Sequence, residues 1–550
     1  MKCKKYSGMK FVLSWASFGV AGLMLFALPS VLLGSTIEVD PQKSVIVLTQ
    51  PENGAISRAA DELQKHFELI TRVQIPIVEK VEESNDLYRF YVGEPAPNET
   101  EVAGSQESRW VIGPKASYFD GDTARAGDGA LFAVYSFLQA QLGVTWIEPG
   151  DEGIVLKENS TLRLETGSFS WTPTLVFRKI RQGGARVAKS QAPLPSQFSE
   201  YTEFRPSLEE HNAFAEEVIQ WQKRMRMGGS RPGGGHAFST WWKKYGETHP
   251  DYFALNKFGK REPLPLPKAY QTDEFVKICA SNPDVAKQLI QDWLPRKKII
   301  RFVDTGINDG IENFCLCEEC EKLDVLKEGD KLHEHLTDRY THLTNLVAKE
   351  AATHRPDAAV AMYAYLTTLY PPRNLRVEPN VVVQVVPYVI PLDTEVTEAL
   401  LGGWKDAGAT MLAFRPNYHT KYSTTTIPIG VEEQMFRVFQ TAIKNGCISA
   451  DYDSLVNNWP VTGLSDFVLA QAMSDPDKPF SHWENLYYSA FGEASNEVGD
   501  YFKYWRHEVW NKRLLPNIED KGYALYSTGY HMLIFTPDYR LAILRGAVGG

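Results

Sequence analysis

At 550 residues the chain exceeds what one hydrophobic core ordinarily supports, so two or three domains are expected. Its 43% hydrophobic and 23% charged residues describe a globular protein with a large core, neither disordered nor low in complexity. A formal net charge of −10 and a pI near 5.7, with no stripe of clustered Lys and Arg, exclude a nucleic-acid partner, whose phosphates require one.

Lys2, Lys4, Lys5 and Lys10 precede an almost uncharged stretch, Phe11 to Leu33, which ends in the small residues Gly34 and Ser35. This is the layout of a secretory signal, and the stretch is also long enough to remain as an uncleaved anchor. Residues 1–35 are therefore expected to direct the protein to the periplasm or the cell exterior, and contact with a membrane is expected only through this segment. Cys3 precedes the apolar run, so no lipid-acceptor cysteine follows it.

Residues 36–173 read as a small α+β domain. Ile56, Ala60, Leu63, Phe67 and Ile70 form the apolar stripe of an amphipathic helix. Ser44 to Leu48, Val73 to Val78 and Tyr88 to Val92 flank it as strands. A second helix, Gly129 to Leu142, stops at Gly143, and Val144 to Ile147 follows as a strand.

Over residues 174–475 strands alternate with longer helices, the α/β pattern of a parallel sheet. The strands are Ile299 to Val303, Ala359 to Tyr365, Val381 to Val386, Thr410 to Phe414 and Cys447 to Tyr452. The helices are Leu332 to Thr353, Thr394 to Ala407 and Val431 to Asn445. With no glycine-rich dinucleotide fingerprint, a (β/α)8 TIM-type barrel is favoured over a doubly wound sheet, and no cofactor is expected. Residues 476–550 read as a helical C-terminal segment built on His482 to Phe491 and Tyr501 to Trp510.

The densest chemical signal is Cys315-Leu316-Cys317-Glu318-Glu319-Cys320, with Cys279 upstream. Four sulfurs with a C-x2-C spacing suit a tetrahedral metal site. In an oxidising compartment the same cysteines pair, and a disulfide between Cys279 and this loop is the favoured expectation, with the metal as the alternative. Cys447, inside a predicted strand, reads as a small core residue.

Two groups of carboxylates fall at predicted strand ends. Asp304, Asn308, Asp309 and Glu312, three carboxylates and an amide, follow the strand ending at Val303, although Asn-Asp-Gly is also ordinary turn chemistry. Asp451 and Asp453 are two apart on a strand and so share a face. Two carboxylates from different strands are what glycoside hydrolysis needs, one to protonate the leaving oxygen and one to attack or to activate water. His236 in Gly233-Gly234-Gly235-His236, Arg261, Arg415 and Asn417 offer polar contacts, and Trp459 offers a ring for stacking. No G-x-S-x-G elbow or P-loop occurs.

The run Gly129 to Leu138 leading to Gly143-Val144-Thr145-Trp146-Ile147-Glu148-Pro149-Gly150 resembles the N-terminal domain of α-glucuronidases and β-hexosaminidases. The barrel region resembles an uncharacterised bacterial glycosidase-like family in Gly235-His236, His249-Pro250-Asp251-Tyr252-Phe253-Ala254-Leu255, Cys279-Ala280-Ser281-Asn282-Pro283 and Asn308-Asp309-Gly310. The resemblance implies a glycosidase-like barrel with Asp309 on the loop that carries the acid in related enzymes. Asn308-Asp309 stands where hexosaminidases show Asp-Glu.

The resulting expectation is an exported glycoside hydrolase acting on a poly- or oligosaccharide, including glycans with uronic acid. Asp309 is its general acid with Glu312 as substitute, and Asp451 or Asp453 its base or nucleophile. His236, Arg261, Asn308, Arg415, Asn417 and Trp459 are its substrate contacts. The alternative is a carbohydrate-binding protein on a catalytically silent barrel.

Overall fold

The computed structural model describes residues 34–516, apart from 83–85, 98, 100–105, 123–127, 183–207, 264–274, 299, 329, 331–334, 388–393, 418–429 and 456–458. The apolar leader, residues 1–33, lies outside the described residues. No helix among the described residues is long and apolar enough to cross a membrane.

The first part of the chain builds a six-stranded mixed sheet. Its strands are β1 (Ser44–Leu48), β2 (Ile77–Val78), β3 (Tyr88–Val92), β4 (Ser108–Ile112), β5 (Ala116–Gly121) and β6 (Gly167–Trp171), in the order β6-β4-β5-β3-β1-β2. Helix α1 (Gly54–Thr71) begins where the Asn53 side chain accepts the Ala55 N–H, and its stripe from Ile56 to Ile70 is buried. Each large side chain buried there contributes roughly 1.5–3 kcal/mol. Helix α2 (Gly129–Leu142) is apolar on nearly every side because it lies between this sheet and the next layer. Gly143 ends it at φ 67°, where a side chain would be strained. Trp221 from the second part donates its Nε1–H to the carbonyl of Trp146 at 2.9 Å, and Trp171 likewise to that of Ser474, so the two parts share one buried core.

The second sheet has seven strands: β7 (Phe177–Gln182), β8 (Gly228–Gly229), β9 (Phe302–Asp304), β10 (Ala359–Ala364), β11 (Val381–Val385), β12 (Met411–Phe414) and β13 (Cys447–Leu455). Their order is β8-β7-β13-β12-β11-β10-β9, parallel throughout except that β8 runs antiparallel to β7. β10 and β11 are buried at every position, as in a sheet covered on both faces. The crossover helices include α3 (Leu208–Arg224), α4 (Pro283–Trp293), α5 (Thr337–His354), α6 (Thr394–Asp406) and α7 (Glu432–Lys444).

This architecture is mixed α/β, but the sheet is an open half-barrel where a closed (β/α)8 ring was expected. Among the described residues no strand joins β8 to β9, and the chain between them contributes only an isolated bridge, Phe253 with Ile278. The two glycines of β8 bring no side chains with which to extend the ladder. After β13 the chain continues in helices α8 (Trp459–Ser474), α9 (Phe480–Ser489) and α10 (Ser495–Tyr504) and a π-helical turn, Trp505–Leu514.

The inner face of the half-barrel has a small apolar base: Phe302, Ala359, Val382, Met411 and Ala413 form a cluster separate from the main core. Two residues further along each strand, on the same face, stand Asp304, Ala361 and then Tyr363, Gln384, Arg415, and Asp451 with Asp453. The strands thus pass from a greasy base to a polar upper layer.

Candidate active site on the inner face of the half-barrel

Period two on β13 places Asp451 and Asp453 on one face, as the sequence predicts. Asp451 pairs in register with Lys179 of β7 and is buried. Arg181, one pleat further along β7, donates from Nε to Asp451 Oδ1 at 2.8 Å and from Nη2 to Oδ2 at 2.5 Å, the bidentate geometry of a guanidinium on a carboxylate. Its hydrogen bond with Asp451 raises the Arg181 pKa against the opposing effect of burial. Asp453, 31% exposed, is bonded through Oδ2 by Arg415 of the loop after β12 and lies 3.6 Å from Arg181 Nη1. Arg415 Nε lies 3.9 Å from Asp451, and Arg231 Nε 3.8 Å from it. Three guanidiniums therefore surround two carboxylates.

The segment from Arg231 to His236 crosses this inner face. The Gly234 N–H donates to Asp304 Oδ1 at 2.5 Å, and Gln384 Nε2 donates to the Gly233 carbonyl at 2.5 Å. Gly234 has φ 106°, and a Cβ there would lie 2.3 Å from Gln384 Oε1, so only glycine lets the backbone pass. Burial beneath the loop raises the Asp304 pKa above the usual carboxylate value, partly offset by the Gly234 N–H. His236 ends the crossing, its Nδ1 2.7 Å from the Ile307 carbonyl and its ring edge-on to Tyr363 at 5.9 Å. Arg415 lies 5.3 Å from the same Tyr363 ring.

Of the residues singled out in the sequence, His236, Arg415, Asn417, Asp451 and Asp453 converge here. Asn417 bridges to Asp453 in parallel register, and its Oδ1 accepts from Arg415 Nη1 at 3.4 Å. Asp309 follows β9 on the loop against which His236 leans. Its Oδ1 accepts the Gly310 N–H at 3.2 Å and its carbonyl accepts from Lys277, which also donates to the Asn308 carbonyl at 2.5 Å. Asn308 is buried and donates from Nδ2 to the Val276 carbonyl, a loop-holding contact. Glu312 is exposed. Trp459 opens α8, and its side chain lies outside the described residues.

Arg261 is not part of this face. It belongs to the cysteine cluster, where Nη1 donates to the Phe253 carbonyl at 2.6 Å and lies 3.9 Å from Cys315 Sγ. The expected disulfide between Cys279 and the Cys315 to Cys320 loop is absent: Cys279, Cys315, Cys317 and Cys320 are free thiols. Cys279 Sγ lies 3.7 Å from Cys317 and 3.8 Å from Cys320, and Cys315 Sγ 3.4 Å from Cys317, well beyond the roughly 2.05 Å of a disulfide. The sulfurs converge as a foursome instead of pairing.

Arg181, Arg231, Tyr363 and Gln384 were not singled out from the sequence. One signal was available for Arg181: Lys179 and Arg181 alternate within Phe177–Gln182 as the facing residues of a strand.

A family model described as "Domain of unknown function (DUF4838)" matches residues 160–503, and the chain belongs to that family. No curated protein matches the chain. Solved structures similar to it include a GH20 β-N-acetylhexosaminidase from Streptomyces coelicolor, at 10% identity over 87% of this chain and 95% of that one, TM-score 0.44. A β-N-acetylhexosaminidase from Bacteroides fragilis aligns at 12% identity over 88% and 96%, TM-score 0.42. A family 89 glycoside hydrolase from Clostridium perfringens aligns at 11% identity over 84% and 53%, TM-score 0.41.

Proposed function

We propose that the protein is an exported glycoside hydrolase that takes an acidic glycan, one bearing a uronic-acid carboxylate, onto the inner face of the half-barrel. The observation that carries the reading is the excess of cations over carboxylates there: Arg181, Arg231, Arg415 and Lys179 against Asp451, Asp453 and Asp304. A carboxylated sugar supplies the missing negative charge. The glycosidase-like motifs of the sequence and the apolar leader support hydrolysis and export respectively.

Roles divide by what each carboxylate already does. Asp451 has both oxygens committed to Arg181 and serves as its anchor. Asp304 lies under Gly234. Asp453, partly exposed, and Asp309, on the loop after β9, are left for proton transfer. Arg415 and Arg231 hold the substrate carboxylate, and His236 with Tyr363 forms the adjoining wall.

The commitment of Asp451 to Arg181 also favours a second reading, a non-catalytic carbohydrate-binding protein. Purified protein is to be incubated with panels of neutral and uronic-acid oligosaccharides, following both binding and product. The hydrolase reading expects products from acidic glycans, lost in Asp309→Asn by about 10²- to 10⁴-fold. Saturable binding of acidic glycans without product, unchanged in Asp309→Asn, establishes the binder. Equal affinity for neutral and acidic glycans, unaltered in Arg415→Met, overturns the acidic-substrate assignment under both.

A further inference from the structure

We propose that Cys279, Cys315, Cys317 and Cys320 form a structural site for one zinc ion, a clip tying the loop of Cys279 to that of Cys315 to Cys320 beside the half-barrel. The four Sγ atoms all lie within 4.8 Å of one another. Four thiolates at a Zn–S distance of about 2.3 Å stand about 3.8 Å apart at the corners of a tetrahedron. The separations observed, 3.4, 3.7 and 3.8 Å, match that spacing and not a bonded pair of sulfurs. Four protein sulfurs leave no open position for water or substrate, which makes the site structural.

The surroundings suit a cluster of thiolates. The Leu255 N–H donates to Cys315 Sγ at 3.2 Å, and the Arg261 guanidinium lies 3.9 Å from the same sulfur, offsetting the net negative charge of four thiolates around a dication. Ser281 Oγ lies 3.2 Å from Cys320 Sγ and 3.4 Å from Cys279 Sγ. A surface cleft of about 460 Å³, lined by Arg261, Ser281, Cys279 and Cys317 among others, gives the ion a way in.

The ligands come from segments that secondary structure joins weakly. Cys279 N–H donates to the Tyr252 carbonyl, and Leu316 N–H to that of Leu255, but among the described residues the only ladder contact is the isolated bridge of Phe253 with Ile278. Metal binding adds its free energy to folding where the apo site is not held by other means. The clip also reaches the proposed catalytic loop: Lys277, two residues before Cys279, donates to the carbonyls of Asn308 and Asp309.

The test uses the full chain purified without chelators. One zinc per chain is expected, with Cys279, Cys315, Cys317 and Cys320 protected from a thiol reagent until the ion is stripped and Tm falling on stripping. Cys320→Ser loses the zinc, while Cys447→Ser, changed in a strand away from the cluster, keeps it. If Cys320→Ser does not fold, cobalt loading of the unmodified chain reports instead, with the intense visible bands of tetrahedral cobalt thiolate expected. A metal-free protein, a cross-linked peptide joining Cys279 to the Cys315 to Cys320 loop, or iron in place of zinc overturns the proposal.

Discussion

Arg181 and Asp451 stand on adjacent parallel strands, and the guanidinium grips both carboxylate oxygens at 2.8 and 2.5 Å. Removing Asp451 leaves the partly buried Arg181 charge with only Asp453, at 3.6 Å, to compensate it. Arg181 is 29% exposed, so Asp451→Asn is expected to cost toward the lower end of about 3–5 kcal/mol in unfolding free energy. Urea denaturation measures it. A change near zero, or a double variant Arg181→Leu/Asp451→Leu that loses the full sum of the single changes, contradicts the pairing.

Gly234 has no room for a side chain. Gly234→Ala puts a Cβ against the Gln384 amide, which must move, and forces a left-handed backbone on a residue that disfavours it, the backbone effect costing about 1–3 kcal/mol. Lower thermal stability is expected and, under the proposed function, loss of glycan binding with it. Gly235, whose Cβ position is open and whose φ is not left-handed, is the control, and Gly235→Ala is expected to change little. Equal behaviour of the two variants shows that the loop does not lie where described.

His66 is buried between Glu62 and Trp146. Trp146 Nε1–H donates to Nε2 at 3.0 Å, so Nε2 is the acceptor, and Nδ1–H donates to the Glu62 carbonyl at 2.7 Å. Burial lowers its pKa to about 4 against an ordinary 6.5. The unfolded chain therefore binds this proton more readily than the folded one. The stability that depends on neutral His66 is complete above pH 6.5 and is lost as pH falls toward 4, by about 3 kcal/mol in all. Denaturation of the native chain and His66→Gln from pH 7.5 to 4 should show a shallower acid loss in the variant. Parallel curves sink the assignment.

Cys447 is enclosed in β13, where burial pushes its thiol up to about 12. Neither thiolate nor access is available, so a native-state alkylation experiment should leave Cys447 unmodified until denaturant is added. Labelling at the rate of a free peptide thiol contradicts this.

The sequence revealed elements whose apolar pattern is their own. Ser44–Leu48, Tyr88–Val92 and Gly129–Leu142 match their predicted bounds because burial on a whole face leaves a local signature. Ser108–Ile112 and Ala116–Gly121 went unseen because polar residues interrupt them: Arg109 and Asp120 face each other across the pair and satisfy one another. Phe177–Gln182 was hidden by its charge, since a strand with Arg178, Lys179 and Arg181 looks solvated until the acidic strand beside it is known.

The site divides the same way. Asp451 and Asp453 were legible from strand periodicity. Their partners were not, because Arg181 lies 270 residues away and Arg231 arrives on a loop from another crossover. Cysteine spacing alone left disulfide and metal both open, and said nothing of where Cys279 sits relative to the other three, which the fold alone supplies.

The crossing of the inner face by Gly233 and Gly234 sets which part of the proposed site is backbone and which is side chain. The floor is peptide backbone, with Asp304 and Gln384 engaged beneath it, while the wall is made of side chains. Under the proposed function, exchanging Tyr363 or His236 would alter the contacts a sugar meets at its side and leave the backbone beneath it in place. The contact from below would change only if the glycine crossing itself moved.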